Sequence, residues 1–342
     1  MKLTTGKLQG LRRVSTSRGI IAAAAMDQRG SLKKAIAREK GIELHDVTPE
    51  MLSEFKEAVT QVLTPHVSAI LLDLEFGLGP SKSRAANAGL LLAYEVSGYD
   101  KAIPGRLPHL LDQWSVRRLR EAGADCVKIL LYYAPFDPEP INRIKHAWVE
   151  RIGAECAAED IPLFAEFVGY QDGLDSAGLE YARKKPEIVR RTVSEFSQAQ
   201  YRIDMLKIEV PVNMAYVAGT RSFKGESVYS VKEAREYFQR TIAAATKPFI
   251  YLSGGVNNET FVEALQLATD AGVGFSGVLC GRATWQDGVA VYAKNGLSAF
   301  HDWLAKQGVE NVRRVNEALR DAKPWYALYD SEAAVSRSST GR

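Results

Sequence analysis

The sequence predicts an α/β protein built as a single (β/α)8 TIM barrel. Eight short, nearly continuous apolar segments recur along the 342 residues, and such segments are typical of parallel strands covered on both faces. Amphipathic stretches lie between most of them, and no repeat or low-complexity linker divides the chain. We therefore expect one barrel domain over residues 1–330. The tail over residues 331–342 consists of small and polar residues and is expected to be disordered.

The apolar segments give the expected order of the barrel strands. They are Gly19–Gln28, Ser68–Gly77, Leu90–Gly98, Asp125–Tyr133, Pro162–Tyr170, Asp204–Val212, Pro248–Val256 and Gly274–Arg282. Helices are expected within Glu50–Leu63, Leu110–Ala122, Asn142–Glu159, Glu187–Tyr201, Val231–Ala245 and Asn258–Ala271. The connection between the second and third strands is short, so that crossover has the least support from the sequence.

Composition narrows the class of protein. Forty-four basic residues nearly balance forty-one acidic ones, which argues against a nucleic-acid-binding protein with a basic patch. The three scattered cysteines form no disulfide framework and indicate buried thiols in a reducing compartment. The polar N-terminal segment lacks the apolar core of a signal peptide, and no segment has the length of a membrane span. We expect a cytoplasmic protein without membrane or nucleic-acid partners.

Charged residues stand inside three consecutive predicted strands. Lys128, Glu166 and Lys207 each have apolar neighbours on both sides. Burying a charge without a partner is costly, so each charge lies at a strand end in solvent, or has a partner or a function. Barrel enzymes gather catalytic side chains at the C-terminal ends of several strands, so the repetition favours a shared site.

Lys207 is the strongest candidate for covalent chemistry. Strand side chains alternate, so it shares a face with Met205 and Glu209. If that face points inward, lost hydration and a nearby Lys128 both destabilise the ammonium form. A neutral amine attacks a ketone to form a Schiff base, whose iminium stabilises the enamine left when a C3–C4 bond breaks. Glu166 is the expected proton shuttle, and a plain Lys–Glu ion pair is the alternative interpretation.

Glycine-rich segments end the seventh and eighth predicted strands. Ser253 and Gly254 lie in SGGV, and Gly281 and Arg282 lie in CGRATW. In barrels the loops after these two strands often bind phosphate, because glycine lets the backbone approach the oxygens and arginine adds charge-assisted bonds. Either motif alone more often marks only a turn. Together they predict a phosphate site across the barrel mouth from Lys128.

Polar residues directly follow the first predicted strand. Asp27 and Gln28 are expected to hold sugar hydroxyls, and Arg29 to meet a second anion. For Ser31 we expect a helix N-cap instead, which is also the alternative for Asp27.

Two further segments carry less specific expectations. Asp73 and Glu75 share a face if the second strand continues through them, so one is expected to orient substrate and the other to pair with a cation. The long segment from Asn213 to Lys247 contains FKGES, which is expected to cover the site or to join an oligomer interface.

Segments spread from residue 26 to residue 285 resemble the tagatose 1,6-bisphosphate aldolase family, class I enzymes of lactose and galactose breakdown. They are MDQRGS, LLDLEFG, VKILLYY, the Glu166 strand, LKIEVPVN, YLSGGV and GVLCGRATW. The resemblance implies Lys207 as the Schiff-base lysine and Glu166 as proton shuttle. It implies contacts to substrate or phosphate from Asp27, Gln28, Lys128, Ser253, Gly254 and Arg282.

The resemblance also implies a reaction. It is the metal-independent cleavage of tagatose 1,6-bisphosphate, and plausibly of fructose 1,6-bisphosphate, to dihydroxyacetone phosphate and glyceraldehyde 3-phosphate. No cofactor is expected, and the barrel is expected to form a homo-oligomer.

Three alternatives stay open at this point. A related branch cleaves sulfofructose 1-phosphate, and no residue separates a sulfonate from a phosphate. A metal-dependent aldolase or isomerase would need a ligand cluster, yet the five histidines lie outside the predicted strand ends and form none. A sugar-phosphate sensor without turnover is disfavoured by the intact set of Lys207, Glu166 and Lys128.

Overall fold

Eight parallel strands close into a barrel in the computed structural model, which describes residues 3–329. They are β1 (Ile21–Met26), β2 (Ala69–Leu72), β3 (Gly89–Ala93), β4 (Cys126–Tyr133), β5 (Leu163–Gly169), β6 (Met205–Ile208), β7 (Phe249–Leu252) and β8 (Gly277–Cys280). Each strand pairs with its neighbours in chain order, and β1 closes the ring on β8. The predicted barrel is confirmed, whereas the predicted tail over residues 331–342 lies outside the described residues.

Helices surround this ring. They are α1 (Thr5–Arg13), α2 (Gly30–Lys40), α3 (Pro49–Leu63), α4 (Val116–Glu121), α5 (Glu139–Ala158), α6 (Leu179–Phe196), α7 (Val231–Ala243), α8 (Asn258–Asp270), α9 (Arg282–Trp285), α10 (Gly288–Trp303) and α11 (Val309–Ala318). A π-helical turn, Leu304–Gly308, joins the last two. A two-stranded parallel sheet pairs Val217–Ala218 with Tyr229–Ser230 beside the barrel.

Two connections differ from the regular pattern. Between β2 and β3, a stretch that the structure describes throughout, the chain forms only the short 3-10 helix Pro80–Ser83 and no α-helix. The prediction of a helix over Leu110–Ala122 is wrong in its first half, because Leu110 forms an antiparallel bridge with Glu95. The helix α4 begins after Ser115, whose side chain accepts the Arg118 N–H as an N-cap.

The barrel interior determines which residues reach the mouth. Cys126, Phe164 and Met205 are fully buried in the interior cluster, on β4, β5 and β6. Since side chains alternate along a strand, the residues two positions later also point inward, one layer nearer the C-terminal end. These residues are Lys128, Glu166 and Lys207. Three inward-facing charges therefore lie on the uppermost layer of the packed core.

Candidate active site

One carboxylate oxygen joins the two predicted lysines. Glu166 Oε2 lies 2.9 Å from Lys207 Nζ and 2.9 Å from Lys128 Nζ, so the two nitrogens are no farther apart than twice that distance. Glu166 and Lys207 are direct register partners on β5 and β6. All three side chains are less than a tenth exposed. The structure therefore brings together the three charges that the sequence singled out.

Lys128 is the centre of a larger ion network. Its fully buried ammonium also lies 2.8 Å from Asp27 Oδ2 and 2.8 Å from Glu95 Oε1. Three carboxylates thus surround one lysine, and Lys207 adds a second cation to the group. Glu95 was absent from the predicted site, although it is a charge inside an apolar segment, LLLAYEVSG, like the other three.

The network shifts the pKa values of its members in different directions. Burial lowers the pKa of Lys128, but the three carboxylates outweigh burial and raise it well above its usual range. Burial raises the pKa of Glu166, but Lys128 and Lys207 together bring it below the ordinary value. The same balance, with the same two cations, lowers the pKa of Asp27. Burial prevails at Glu95, whose pKa is raised despite Lys128. Glu166 and Asp27 are therefore held as carboxylates beside two ammonium groups.

A cavity of 430 Å³ opens at the C-terminal ends of the strands, above this network. Nine of the ten predicted site residues line it, namely Asp27, Gln28, Arg29, Glu166, Lys207, Ser253, Gly254, Gly281 and Arg282. Lys128, the tenth, lies behind Asp27 and Glu166 with none of its side chain exposed. The predicted residues therefore converge on one space, with Lys128 as a buried support.

The loops after β7 and β8 meet at Arg282. Gly254 and Gly255 both have positive φ, 61° and 85°, a conformation that favours glycine. A Cβ on Gly255 would lie 2.7 Å from the Arg282 guanidinium carbon. The loop is thus shaped so that the guanidinium packs against bare backbone at the cavity wall. Ser253 directly follows β7, which pairs with the neighbouring strand β8.

The residues after β1 turn towards the opposite wall. Asp27 and Gln28 are half-buried, while Arg29 is buried and donates from Nη2 to the Glu95 carbonyl oxygen at 2.7 Å. Arg29 Nε and Nη1 are buried without a hydrogen-bond partner, and Nη1 lies 3.8 Å from Glu75. The N-cap expected of Ser31 is wrong, because helix α2 begins at Gly30 and Ser31 lies in its first turn.

Asp73 and Glu75 both pair with cations. Strand β2 ends at Leu72, so the two residues lie in the following turn and do not continue a strand face. Asp73 is fully buried against Lys56, and Glu75 lies near Arg29. Neither residue lines the cavity. The long segment after β6 contributes Asn213 and Met214 to the cavity wall, whereas its FKGES stretch does not reach it.

A further group that the sequence analysis missed lines the wall at β5 and β6. Lys185 of α6 lies 3.2 Å from Glu209 Oε1, and Glu209 Oε2 accepts the Gly169 N–H at 2.7 Å. Tyr181, also on α6, lines the same wall. The periodicity of helix α6 does not by itself show which of its polar side chains reach the cavity at the C-terminal end of the barrel.

Within residues 3–329 no group of three or more His, Cys, Asp or Glu side chains forms a candidate metal site. The five histidines lie in helices or loops, outside the eight barrel strands. No helix in this part of the chain combines the length and apolar character that a membrane crossing requires.

Comparison with known proteins decides the family. The model of the DeoC/LacD family aldolases matches residues 21–287, which include every residue of the network. The chain belongs to the DeoC/LacD family of aldolases. It is therefore an aldolase, a carbon–carbon lyase, and the resemblance seen in the sequence motifs is confirmed.

Bacterial relatives match over nearly the whole chain. The tagatose 1,6-diphosphate aldolase of Listeria monocytogenes serotype 4a (strain HCC23) is 47% identical over 97% of both chains. Tagatose 1,6-diphosphate aldolase 2 of Enterococcus faecalis is 48% identical and covers 96% of this chain and 98% of its own. The Staphylococcus aureus (strain MW2) protein of the same name is 45% identical over 95% and 99%.

Solved structures support the fold. The fructose-bisphosphate aldolase of Plasmodium falciparum superposes with a TM-score of 0.65 at 14% identity, covering 94% of this chain and 98% of its own. A Schiff-base-forming fructose-1,6-bisphosphate aldolase gives a TM-score of 0.51 at 16% identity, covering 86% and 97%. At these identities the likeness concerns the barrel and not the residues of the site.

Proposed function

We propose that the chain is a class I ketose-bisphosphate aldolase in which Lys207 forms a Schiff base with the substrate ketone. The observation that carries the proposal is a buried strand lysine that lines a cavity and faces one carboxylate at 2.9 Å. The relatives' names point to tagatose 1,6-bisphosphate as substrate, with fructose 1,6-bisphosphate as a further one. The products are dihydroxyacetone phosphate and glyceraldehyde 3-phosphate.

Glu166 is suited to move the protons. Its carboxylate takes a proton from the Lys207 ammonium, and the neutral amine then adds to C2 of the ketose. Glu166 returns that proton to the carbinolamine hydroxyl, which leaves as water and gives the iminium. In the cleavage step the C4 hydroxyl loses its proton to the carboxylate while the C3–C4 bond electrons flow to the iminium. The aldehyde leaves, and protonation and hydrolysis of the enamine release the ketone product.

Lys128 serves this cycle as a permanent positive charge. It contacts Glu166 and Asp27 at 2.9 and 2.8 Å and has a pKa held well above its usual range. A cation that does not titrate keeps Glu166 ionised and therefore ready to accept a proton. Its full burial makes it a support for the reacting groups and not a second nucleophile.

The cavity offers cations for two anions. We propose the C1 phosphate at Arg282, Ser253 and the glycines of the β7 and β8 loops. Asp27 and Gln28 are then available to the sugar hydroxyls. Arg29 is proposed for the distal anion, since two of its guanidinium nitrogens are buried without a hydrogen-bond partner. A cytoplasmic location and a homo-oligomeric state stay predictions.

The test is cleavage by Lys207→Ala and by a matched control. Lys185 lines the same cavity but is paired with Glu209, so Lys185→Ala removes a cavity lysine without removing the proposed nucleophile. We expect Lys207→Ala to lose cleavage to the assay background and Lys185→Ala to keep measurable turnover. A Lys207→Ala enzyme that cleaves ketose bisphosphates at the normal rate would refute the proposal.

The substrate is tested by comparing three compounds with the unmodified enzyme. Tagatose 1,6-bisphosphate and fructose 1,6-bisphosphate are both expected to be cleaved. Higher kcat/KM with sulfofructose 1-phosphate would instead assign the distal subsite to a sulfonate. Binding of dihydroxyacetone phosphate without turnover of any of the three would make the chain a sensor.

A further inference from the structure

A fully buried lysine of the outer helix layer reaches the end of the first barrel strand. Lys56 lies in the middle of α3, and its side chain has no exposed surface. An ammonium group is costly to bury unless each of its donors has a partner. Its partners therefore show what the burial achieves.

The three donors of Lys56 Nζ have three acceptors. They are the Met26 carbonyl oxygen at 2.7 Å, the Gln28 carbonyl oxygen at 2.9 Å and Asp73 Oδ1. The two carbonyls belong to the residues on either side of Asp27. One ammonium group thus fixes the main chain before and after Asp27, at the point where β1 ends and the cavity begins.

Asp73 anchors the lysine from the neighbouring strand. It follows β2, is fully buried, and accepts the Phe76 N–H on Oδ2 at 2.8 Å. The carboxylate is therefore held by its own turn and does not swing freely. Helix α3, the β2 end and the β1 end are joined through one nitrogen.

We propose that Lys56 is a positioning residue for the aldolase reaction, holding the main chain of Asp27 and Gln28 so that both side chains meet the cavity correctly. The inference rests on the proposed function, in which these two residues contact the sugar. Asp27 Oδ2 must lie 2.8 Å from Lys128 while its carboxylate borders the cavity. Misplacing a substrate-positioning group by about 1 Å lowers the rate about 10²-fold.

A purely structural role makes a different prediction. If Lys56 serves only to neutralise Asp73, then removing both charges together restores the enzyme. Lys56→Met alone leaves a buried, unpaired carboxylate and destabilises the fold for that reason. The double variant Lys56→Met with Asp73→Asn removes that charge and keeps an acceptor for the Phe76 N–H. The double variant therefore separates the two roles.

The experiment measures kcat, KM and melting temperature of the full chain with tagatose 1,6-bisphosphate. The double variant is expected to melt above Lys56→Met but below the unmodified enzyme, because the Met26 and Gln28 carbonyls lose their donor, while its kcat/KM falls about 10²-fold. Lys56→Met is expected to have both a lower melting temperature and a lower kcat/KM. Lys7→Met is the matched control, because it breaks a buried Lys–Asp pair of 2.7 Å with Asp204, at the start of β6 and the opposite barrel end. It is expected to melt earlier and to keep its kcat.

Wild-type kcat/KM in the folded double variant would overturn the proposal. An equal loss of kcat in Lys7→Met would also overturn it, because the effect would then follow from lost stability alone. Failure of the proposed function is distinguishable, since the unmodified enzyme in the same assay would then cleave no ketose bisphosphate.

Discussion

Removing the central cation of the ion network should destabilise the protein in a pH-dependent way. Lys128→Met removes the ammonium that Asp27, Glu95 and Glu166 share. Within this network Lys207 then remains as a lysine in contact with Glu166. Breaking a buried ion pair by removing one partner costs about 3–5 kcal/mol. The fold of the variant should survive, because methionine fills nearly the same volume.

The direction of the pH dependence follows from the carboxylates. In the unmodified protein Asp27 and Glu166 have a lowered pKa, so they stabilise the fold above their unfolded pKa of about 4 and lose this contribution as the pH falls through the folded pKa. Without Lys128, burial dominates and the folded pKa values of the carboxylates rise above their unfolded values. Each unit of such a rise costs about 1.4 kcal/mol at neutral pH, so these rises are the physical source of the loss of about 3–5 kcal/mol. This cost disappears as the pH falls and the carboxylates protonate.

Urea unfolding at about pH 7.5 and about pH 5 measures the effect. The difference in unfolding free energy between Lys128→Met and the unmodified protein should be smaller at the lower pH. The double variant Lys128→Met with Glu95→Gln should lose less unfolding free energy than Lys128→Met alone, because one buried carboxylate has been removed. Equal losses at both pH values, or no loss, would refute the electrostatic account.

Three other predictions test separate parts of the site. Glu166→Gln should lower kcat about 10²- to 10⁴-fold, because an amide does not relay protons, and a loss below about tenfold in a coupled cleavage assay would argue against the shuttle. Gly255→Ala should raise KM more than Gly254→Ala. Both glycines have positive φ, but a Cβ on Gly255 would lie 2.7 Å from Arg282, whereas a Cβ on Gly254 has no neighbour closer than 3.7 Å. Equal KM values in the two variants would argue against phosphate binding by Arg282. EDTA should leave the cleavage rate unchanged, whereas loss with recovery on adding zinc would indicate a metal-dependent aldolase.

Much of the ion network at the candidate site could be predicted because strand alternation is a strong local rule. Lys128, Glu166 and Lys207 interrupt apolar strands, and a fixed two-residue period sets which face they share. The barrel rule that loops after strands seven and eight meet ligands likewise predicted where Arg282 would lie. These inferences need only sequence order and the ring of strands.

The remaining site residues depend on contacts between distant segments. Glu95 is an exception, because it is a charge inside an apolar segment like the three predicted ones, and the same pattern indicates it. Lys56 stands at helical spacing from Leu52 and Val59, on the apolar face of α3, but periodicity does not show which acceptors it meets there. Ser31 was expected to cap α2, but the helix begins at Gly30, two residues earlier than that cap implies, and Arg29 stands at the N-cap position without a side-chain cap bond. Propensity and periodicity do not specify such contacts.

The central claim is that Lys207 bonds covalently to the substrate ketone. Borohydride reduction of the enzyme with dihydroxyacetone phosphate, followed by peptide mass mapping, tests it most directly. We predict one adduct, on the peptide that contains Lys207, with Lys128 and Lys185 unmodified. An adduct on a different lysine, or no adduct from an enzyme that still cleaves ketose bisphosphates, would contradict the account.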